Sequence, residues 1–461
     1  MHKLLFDEFP EVSAKMWKQK IQFDLKGAEY STLLSKAAEG IDIRPFYHPD
    51  DAIPVHAGLK KSGSWKTGQR IYAGNEEMAA KKAIHAIDRG AESLWFTVPS
   101  EDTDLSALLG QLPATGVSLH IQPLFLSPDF TRKSQEQLSG FSKVYLHNDT
   151  IGNLARSGNW FYTFEKDRDL FLQTIGSGEK LSSVITTDLS LYQNAGANIV
   201  QQLAYAMAHI NEYLNLPETT TALDGRTVVF KTAIGSDYFF EIAKLRALRI
   251  LWHTLSRQYG IKTECHILAF PTRRNKTLYD YNVNMLRTTT ECMSAILGGA
   301  DTICNLPYDS IYHKDNEFSE RIARNQLLIL KNESYFDKVS NPADGAYYIE
   351  DITNRISEKA LDIFKQIEAG GGFLQQLKDH TIQKKIKESA RTEQQLFDEG
   401  QHVLIGTNTY RNPDDRMTGA LELFPFIKTR PRKTLIEPVT ERRLAEKTEQ
   451  ERLAREQKNN D

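Results

Sequence analysis

Residues 227–270 read TVVFKTAIGSDYFFEIAKLRALRILWHTLSRQYGIKTECHILAF, and this stretch decides the fold. It opens on Thr227–Thr232, a run of β-branched and aromatic residues that has the signature of a buried strand. Leu245, Leu248, Leu251 and Leu255 then recur every three or four residues, which places them on one helical face. Cys265–Phe270 is a second buried strand. Strand, helix and strand in this order form a parallel pair joined by a crossover helix.

The same unit repeats outward in both directions. Met78 to Arg89 reads as a helix before the strand Ser93–Val98 (SLWFTV). Val117–Gln122, Lys143–Leu146, Ser183–Thr187 and Thr302–Asn305 are further strands. Ile199, Leu203, Met207, Ile210 and Leu214 mark one more helix. Val283, Leu286, Thr290, Met293 and Ile296 mark another, stopped at Gly298-Gly299. These helices are expected to form an outer ring packed on a sheet. Seven or eight such units favour an α/β fold of the TIM type, a closed (β/α)8 barrel, although spacing alone also admits an open sheet.

The expected organisation has four parts. Residues 1–40 form an N-terminal arm, with Leu4, Leu5, Phe6 and Phe9, then Trp17, Ile21, Phe23 and Leu25, broken by Gly27. Such an arm has too little surface to fold alone, so it packs on its own barrel or on a partner. Residues 41–372 form the barrel. Within it Asn341–Gly345 is a turn, and a helix over roughly Thr353–Glu368 ends at Gly370-Gly371-Gly372. Residues 373–428 form a C-terminal helical extension. Residues 429–461 form a charged tail with Pro431 and Pro438, expected to be a solvated, partly frayed helix.

Composition narrows the function classes. The chain has 461 residues, 25% of them charged, with a formal net charge of -3, which argues against a phosphate-tracking nucleic-acid surface. Cys265, Cys292 and Cys304 show no paired metal spacing and read as small buried hydrophobes in a reducing compartment. The start MHKLLFDEFPEV carries Asp7, Glu8 and Glu11, unlike an acid-poor transit peptide, and no run is long and apolar enough for a bilayer. A cytoplasmic protein without membrane or nucleic-acid partners is the expectation.

No phosphate loop, no GxGxxG after a strand and no HExxH is present. His120 and His209 stand alone in the sequence and read as structural. Lys231, Asp237, Glu241, Lys244 and Arg246 cluster around a strand-to-helix turn. One reading puts Lys231 and Asp237 near the mouth, where barrel sites lie. The other, which we prefer on sequence, is surface pairing of Glu241 with Lys244 along a helix. Residue by residue, no catalytic, cofactor-binding or metal site emerges.

Several segments, in collinear order over nearly the whole chain, resemble the acyl-CoA mutase barrel of the methylmalonyl-CoA mutase family. Leu25-Lys26-Gly27 and Glu39–Tyr47 resemble its opening motif. Ala195-Gly196-Ala197 with Leu203-Ala204-Tyr205 resembles its central one, and Phe239–Trp252 (FFEIAKLRALRILW) is the most specific match. Asn282–Thr289, Gly298–Asp301, Arg324-Asn325-Gln326 and Gly345–Glu350 complete the series.

The departures carry as much meaning. The resemblance implies a Tyr-His pair a few residues before Ala195, whose His would hydrogen-bond the substrate thioester. Ser190 and Leu191 stand there, and leucine neither donates nor accepts a hydrogen bond. The family's Tyr-x-x-Arg-Pro-Trp run before Tyr72-Ala73-Gly74 is replaced by Ser62–Thr67, so the tyrosine that would close over substrate has no counterpart. None of the twelve histidines has an Asp two residues before it, so the cobalt-ligating Asp-x-His-x-x-Gly is absent. Arg432 to Leu444 resembles the linker that precedes a cobalamin domain.

The resemblance therefore implies a non-catalytic small subunit of a heterodimer, with Ser190 and Leu191 as degenerate site positions. A homologous large catalytic subunit would bind adenosylcobalamin and most of the acyl-CoA substrate. Freed from catalysis, the barrel interior could hold bulkier side chains. The alternatives are the catalytic barrel chain of a split acyl-CoA mutase, with its cobalamin domain on a separate protein, and a free-standing CoA-binding or regulatory barrel.

Overall fold

A computed structural model describes residues 8–56, 58–60, 65–428 and 432–460. Leu4, Leu5, Phe6, Ser62 to Ser64 and Pro431, discussed above, lie outside them. Two short strands, β1 (Ser35–Lys36) and β2 (Asp42–Ile43), pair antiparallel ahead of the barrel. Eight parallel strands follow: β3 (Lys66–Tyr72), β4 (Ser93–Val98), β5 (Ser118–Pro123), β6 (Val144–Leu146), β7 (Thr186–Asp188), β8 (Thr227–Ile234), β9 (Glu264–Pro271) and β10 (Thr302–Cys304). Their order is β6-β5-β4-β3-β10-β9-β8-β7, and the bridge Tyr145↔Ser183 brings the two ends together. The fold is a TIM-type barrel ringed by helices.

β8 shows why the sequence does this. From Val228 to Ile234 every residue is buried, as expected of a parallel strand covered on both faces. Val228 and Phe230 join the main core under the helices, while Val229 belongs to a separate small cluster with Trp95, Tyr145, Leu268 and Cys304. Alternation along the strands thus separates the outer core from the barrel bore. Asp237 caps the next helix, Tyr238–Gln258, accepting from Phe240 N at 3.4 Å. The helices read from the sequence appear as Ile199–Leu214, Val283–Leu297 and Tyr347–Ala369.

Three features differ from the sequence reading. β3 escaped it, because Lys66, Gln69 and Arg70 break the apolar pattern expected of a buried strand. Beyond the helices Phe373–Lys378 and Thr381–Asp398, residues 401–428 form turns and loops without a helix. The tail is packed rather than solvated. It runs extended from 432 to 445 and then forms the helix Glu446–Asn460. Ile436, Val439, Leu444 and Ala445 are buried, and Arg443 pairs with buried Glu449 at 2.6 Å. Apolar residues spaced along an extended strap have no period, which hid them among the charges. Among the cysteines, Cys292 and Cys304 are buried and Cys265 is partly so.

The strap is seated on Gly158, which ends the helix Thr150–Ser157 in the left-handed region at φ 78°. Leu435 N and Ile436 N both donate to Gly158 O, at 2.9 and 3.2 Å. A Cβ here would lie 2.7 Å from Ile436 O and 2.8 Å from Thr434 Cβ. Gly158→Ala is therefore expected to cost about 1–2 kcal/mol from backbone conformation alone. It should also speed tryptic cleavage at Arg432 and Lys433. Urea melts and a proteolysis time course check this; wild-type behaviour in both would mean the strap does not rest on this turn.

Candidate functional site

The carboxyl ends of the strands open on a cavity of about 200 Å3. Its polar wall is built from Asp188 at the end of β7, Lys231 on β8, and Arg156 on the helix Thr150–Ser157. Asp188 Oδ2 accepts from Lys231 Nζ at 2.8 Å and from Arg156 Nη2 at 2.9 Å. Asp188 Oδ1 accepts from Ser190 N at 3.1 Å and from the Ser190 hydroxyl. Burial alone would raise the Asp188 carboxyl, but Lys231 and Arg156 outweigh it and hold it well below the usual carboxylate range. Such a carboxylate is ionised, fully bonded and a poor proton acceptor. Lys231 also donates to Gln122 Oε1 at 3.2 Å and sits 4.9 Å from the centre of the Trp95 ring.

Ser190 and Leu191 lie on the short helix Ser190–Asn194 that follows β7. Ser190 spends its hydroxyl on Asp188. Leu191 is fully buried and belongs to the main core, so it does not line the cavity.

Below the mouth the bore is filled. Trp95, His120, Tyr145, Leu268 and Cys304 are all buried there. His120 stacks on Tyr145 at 4.6 Å and on His147 at 5.2 Å, and Tyr145 lies 4.3 Å from His266. His147 Nδ1 is 2.9 Å from Thr186 Oγ1 and its Nε2 is 3.0 Å from His120 Nδ1. Burial drives all three imidazoles toward the neutral form: His120 and His147 are well below the usual range, and His266 is pushed down to about 4. Sequence reading took His120 alone. Alternate positions would have linked the rest, since 120 and 122 on β5, 145 on β6 and 147 just beyond its end point the same way as Trp95 and Lys231.

The charged cluster around the turn after β8 divides. Lys231 reaches the mouth, while Asp237 serves as a helix cap. Glu241 and Lys244 do pair, at 2.5 Å, but in the interior rather than on the surface. Lys244 also donates to Ala233 O at 2.7 Å, and Arg246 donates to Glu350 at 2.6 Å. His209 is fully buried, 2.9 Å from Tyr192 Oη through Nδ1 and 2.8 Å from Asp149 Oδ1 through Nε2. Among the described residues no group of three His, Cys, Asp or Glu side chains could hold a metal ion, and no helix is long and apolar enough to cross a membrane.

A family model described as methylmalonyl-CoA mutase matches residues 127–458. The methylmalonyl-CoA mutase small subunit of Porphyromonas gingivalis is 33% identical over 450 residues, covering 88% of this chain and 71% of that protein. A methylmalonyl-CoA mutase of Cereibacter sphaeroides is 28% identical, over 86% of this chain and 64% of its own length. The methylmalonyl-CoA mutase small subunit of Streptomyces virginiae is also 28% identical, over 82% and 67%. The chain thus spans about two thirds of each relative.

The buried imidazoles set a pH dependence. Their folded values lie below the unfolded value of about 6.5, so the unfolded chain binds more protons and stability falls as pH drops below that point. Each histidine contributes a slope of up to about 1.4 kcal/mol per pH unit. Other groups titrate in the same window, so the difference between two proteins isolates the effect. Between pH 6.5 and 5 the wild type should lose stability more steeply than His120→Asn, by about one such slope. Denaturant melts across pH measure it, and parallel curves would show that His120 is not held neutral.

Proposed function

Because this chain belongs to the methylmalonyl-CoA mutase family, we propose that it is the non-catalytic small subunit of a heterodimeric, cytoplasmic methylmalonyl-CoA mutase. Its partner would be a homologous large subunit that binds adenosylcobalamin and interconverts methylmalonyl-CoA and succinyl-CoA. The filled bore carries this reading. An acyl-CoA is a long ligand that has to be admitted somewhere, and the buried Trp95, His120 and Tyr145 side chains stand in the bore that it would thread. Leu191 adds to it, because a packed aliphatic side chain cannot polarise a thioester. So does Asp188, whose oxygens are committed to Lys231, Arg156 and Ser190.

The residues present do not fit a cobalamin. His147 is the histidine at the mouth, and both its ring nitrogens are engaged by Thr186 and His120. The strap of residues 432–445 crosses the same face, with Arg442 N on Asn194 O and Leu444 N on Arg274 O, both at 2.9 Å. No catalytic step is therefore assigned to this chain. On this reading residues 41–372 act as a scaffold, and the arm supplies contact surface. The arm helix Ala14–Asp24 has no buried residue and leaves Met16, Trp17 and Phe23 exposed. At about 25 cal/mol per Å2 of apolar surface, covering these side chains would add materially to association.

The chain alone is expected to leave the visible spectrum of adenosylcobalamin unchanged and to form no succinyl-CoA. Restoring the family pair with Ser190→Tyr and Leu191→His should give no turnover and should cost stability. Leu191→His by itself strands ring nitrogens in an apolar site, a loss of about 1–3 kcal/mol. Turnover by the chain alone, or a neutral Leu191→His in thermal melts, would sink the reading. Deleting residues 1–28, which spares the Glu39 contact to Ile199 N at 3.3 Å, should weaken capture of the large subunit and leave circular dichroism unchanged. Undiminished capture would show that the arm serves its own barrel.

A further inference from the structure

The last helix, Glu446–Asn460, is docked without an apolar face. Leu453 and Ala454 are its only apolar residues, and a helix so polar needs another reason to stay bound. Three of its carboxylates supply one by accepting from backbone N–H groups of other segments. Glu446 Oε1 accepts from Ile427 N at 2.6 Å, and Glu449 Oε1 from Leu278 N at 2.7 Å. Glu456 Oε2 accepts from Met417 N at 3.0 Å and from Thr418 N at 3.2 Å. All three side chains are buried. Charge-assisted bonds of this kind are roughly twice as strong as neutral ones.

These contacts divide into two sets. Glu446, Glu456 and Arg452, which donates to Asn412 O at 2.9 Å, tie the helix to the loop 412–428. That loop has no helix or strand of its own, so several of its N–H groups depend on the tail. Loop and helix therefore make one body. The second set joins this body to the barrel. Glu449 holds Leu278 N, Asp415 holds Asp280 N at 2.6 Å, and Glu422 N and Leu423 N reach Tyr312 O at 2.9 and 2.8 Å. Leu278, Tyr279, Ile311, Tyr312 and Met417 form a small core apart from the main one, with Leu453 against it. Arg443 on the strap touches every part, bonding Lys276 O at 3.0 Å, Pro425 O at 3.2 Å and Glu449 at 2.6 Å. The fit is incomplete. A cavity of about 230 Å3 lies between residues 424–428 of the body and Asn194, Arg274 and Ile311 of the barrel.

We propose that residues 412–428 and 446–460 are a lid that opens and closes as one body over the carboxyl ends of β9 and β10. It turns about Arg443, and the cavity is the seam along which it parts. β9 ends at Pro271 and β10 at Cys304, and the lid covers the loops that follow both. Loops on this face are where ligands enter a barrel of this type. A separate core, a polar helix and an unfilled seam mark a segment that parts from its neighbours well below the free energy of global unfolding. Opening bares Leu278, Tyr279, Ile311 and Tyr312, and anything that binds this uncovered face draws the lid open.

Hydrogen exchange read by mass spectrometry on the full chain tests this without cobalamin or a partner, so its failure leaves the subunit reading standing. Peptides from 412–428 and 446–460 should be slowed by one common factor relative to an unstructured chain. The helix Tyr238–Gln258 should be slowed by far more. Glu449→Gln removes the charge that grips the barrel and spares the bonds inside the lid. It should speed both segments equally, by about tenfold, the step from a charged to a neutral hydrogen bond, and leave Tyr238–Gln258 unchanged. The seam itself is read by thiol labelling. In an Ile311→Cys background, N-ethylmaleimide should modify position 311 faster by the same factor once Glu449→Gln is added. Unequal factors for the two segments in the wild type would overturn the lid. So would a response to Glu449→Gln confined to one segment or shared by Tyr238–Gln258, or labelling at 311 that ignores Glu449→Gln.

Discussion

Lys244, Arg246 and Arg249 are buried cations on one helix, between the sheet and the outer layer, and each has to be neutralised where water does not reach. Lys244 takes Glu241 and the Ala233 carbonyl at the end of β8. Arg246 takes Glu350 and Asp344, which fixes the helix Tyr347–Ala369 against the wall. Arg249 takes Asp301 at 2.8 Å and the Gly299 carbonyl at 2.6 Å, which sets the entry to β10. Removing one partner from such a pair typically costs about 3–5 kcal/mol, because a buried charge is left over. The helix thus clamps two staves and one outer helix into a single register. The segment that most resembles the family is this clamp, so the resemblance reports a scaffold and is silent about catalysis.

That separation explains how a barrel of this kind can keep its shape while its interior changes. The clamp lies outside the ring of strands, and the bore lies inside it. Side chains at alternate strand positions answer to different neighbours, and substitutions on the inner face leave the outer packing in place. Here the inner face holds three buried histidines, a tyrosine and a tryptophan, which favour a filled interior over a channel. Asp188 is the exception that links both regions, since its carboxylate joins the end of β7 to β8 and to the helix Thr150–Ser157.

Much of the architecture could be read from periodicity. Helical leucines at 245, 248, 251 and 255 and apolar runs such as SLWFTV report burial on a regular lattice, and regular burial is what a sequence displays. The strap did not show because Ile436, Val439 and Leu444 are anchored one at a time by a surface already folded. The mouth showed only through Lys231. His147 and Arg156 come from the unit of β6, while Asp188 and Lys231 come from those of β7 and β8, and nothing in their local sequence encodes that the ring brings the three units together. Glu241 and Lys244 had the right spacing to pair, but the layer that covers them, from Gln193 and Gln202, lies some forty to fifty residues away, outside the reach of a local pattern.

The ring also has an order in time. β3 pairs with β4 close by in sequence, but its other neighbour, β10, lies about half the chain away. A chain emerging from the ribosome amino-terminus first has to hold β3 as an open sheet edge until that late partner arrives, and long-range pairing of this kind is slow. Open edges invite pairing with other nascent chains, and charged side chains discourage it. Lys66, Gln69 and Arg70 make β3 the least apolar of the long strands. The same residues that hide this strand from a hydrophobic pattern suit it to waiting unpaired during synthesis.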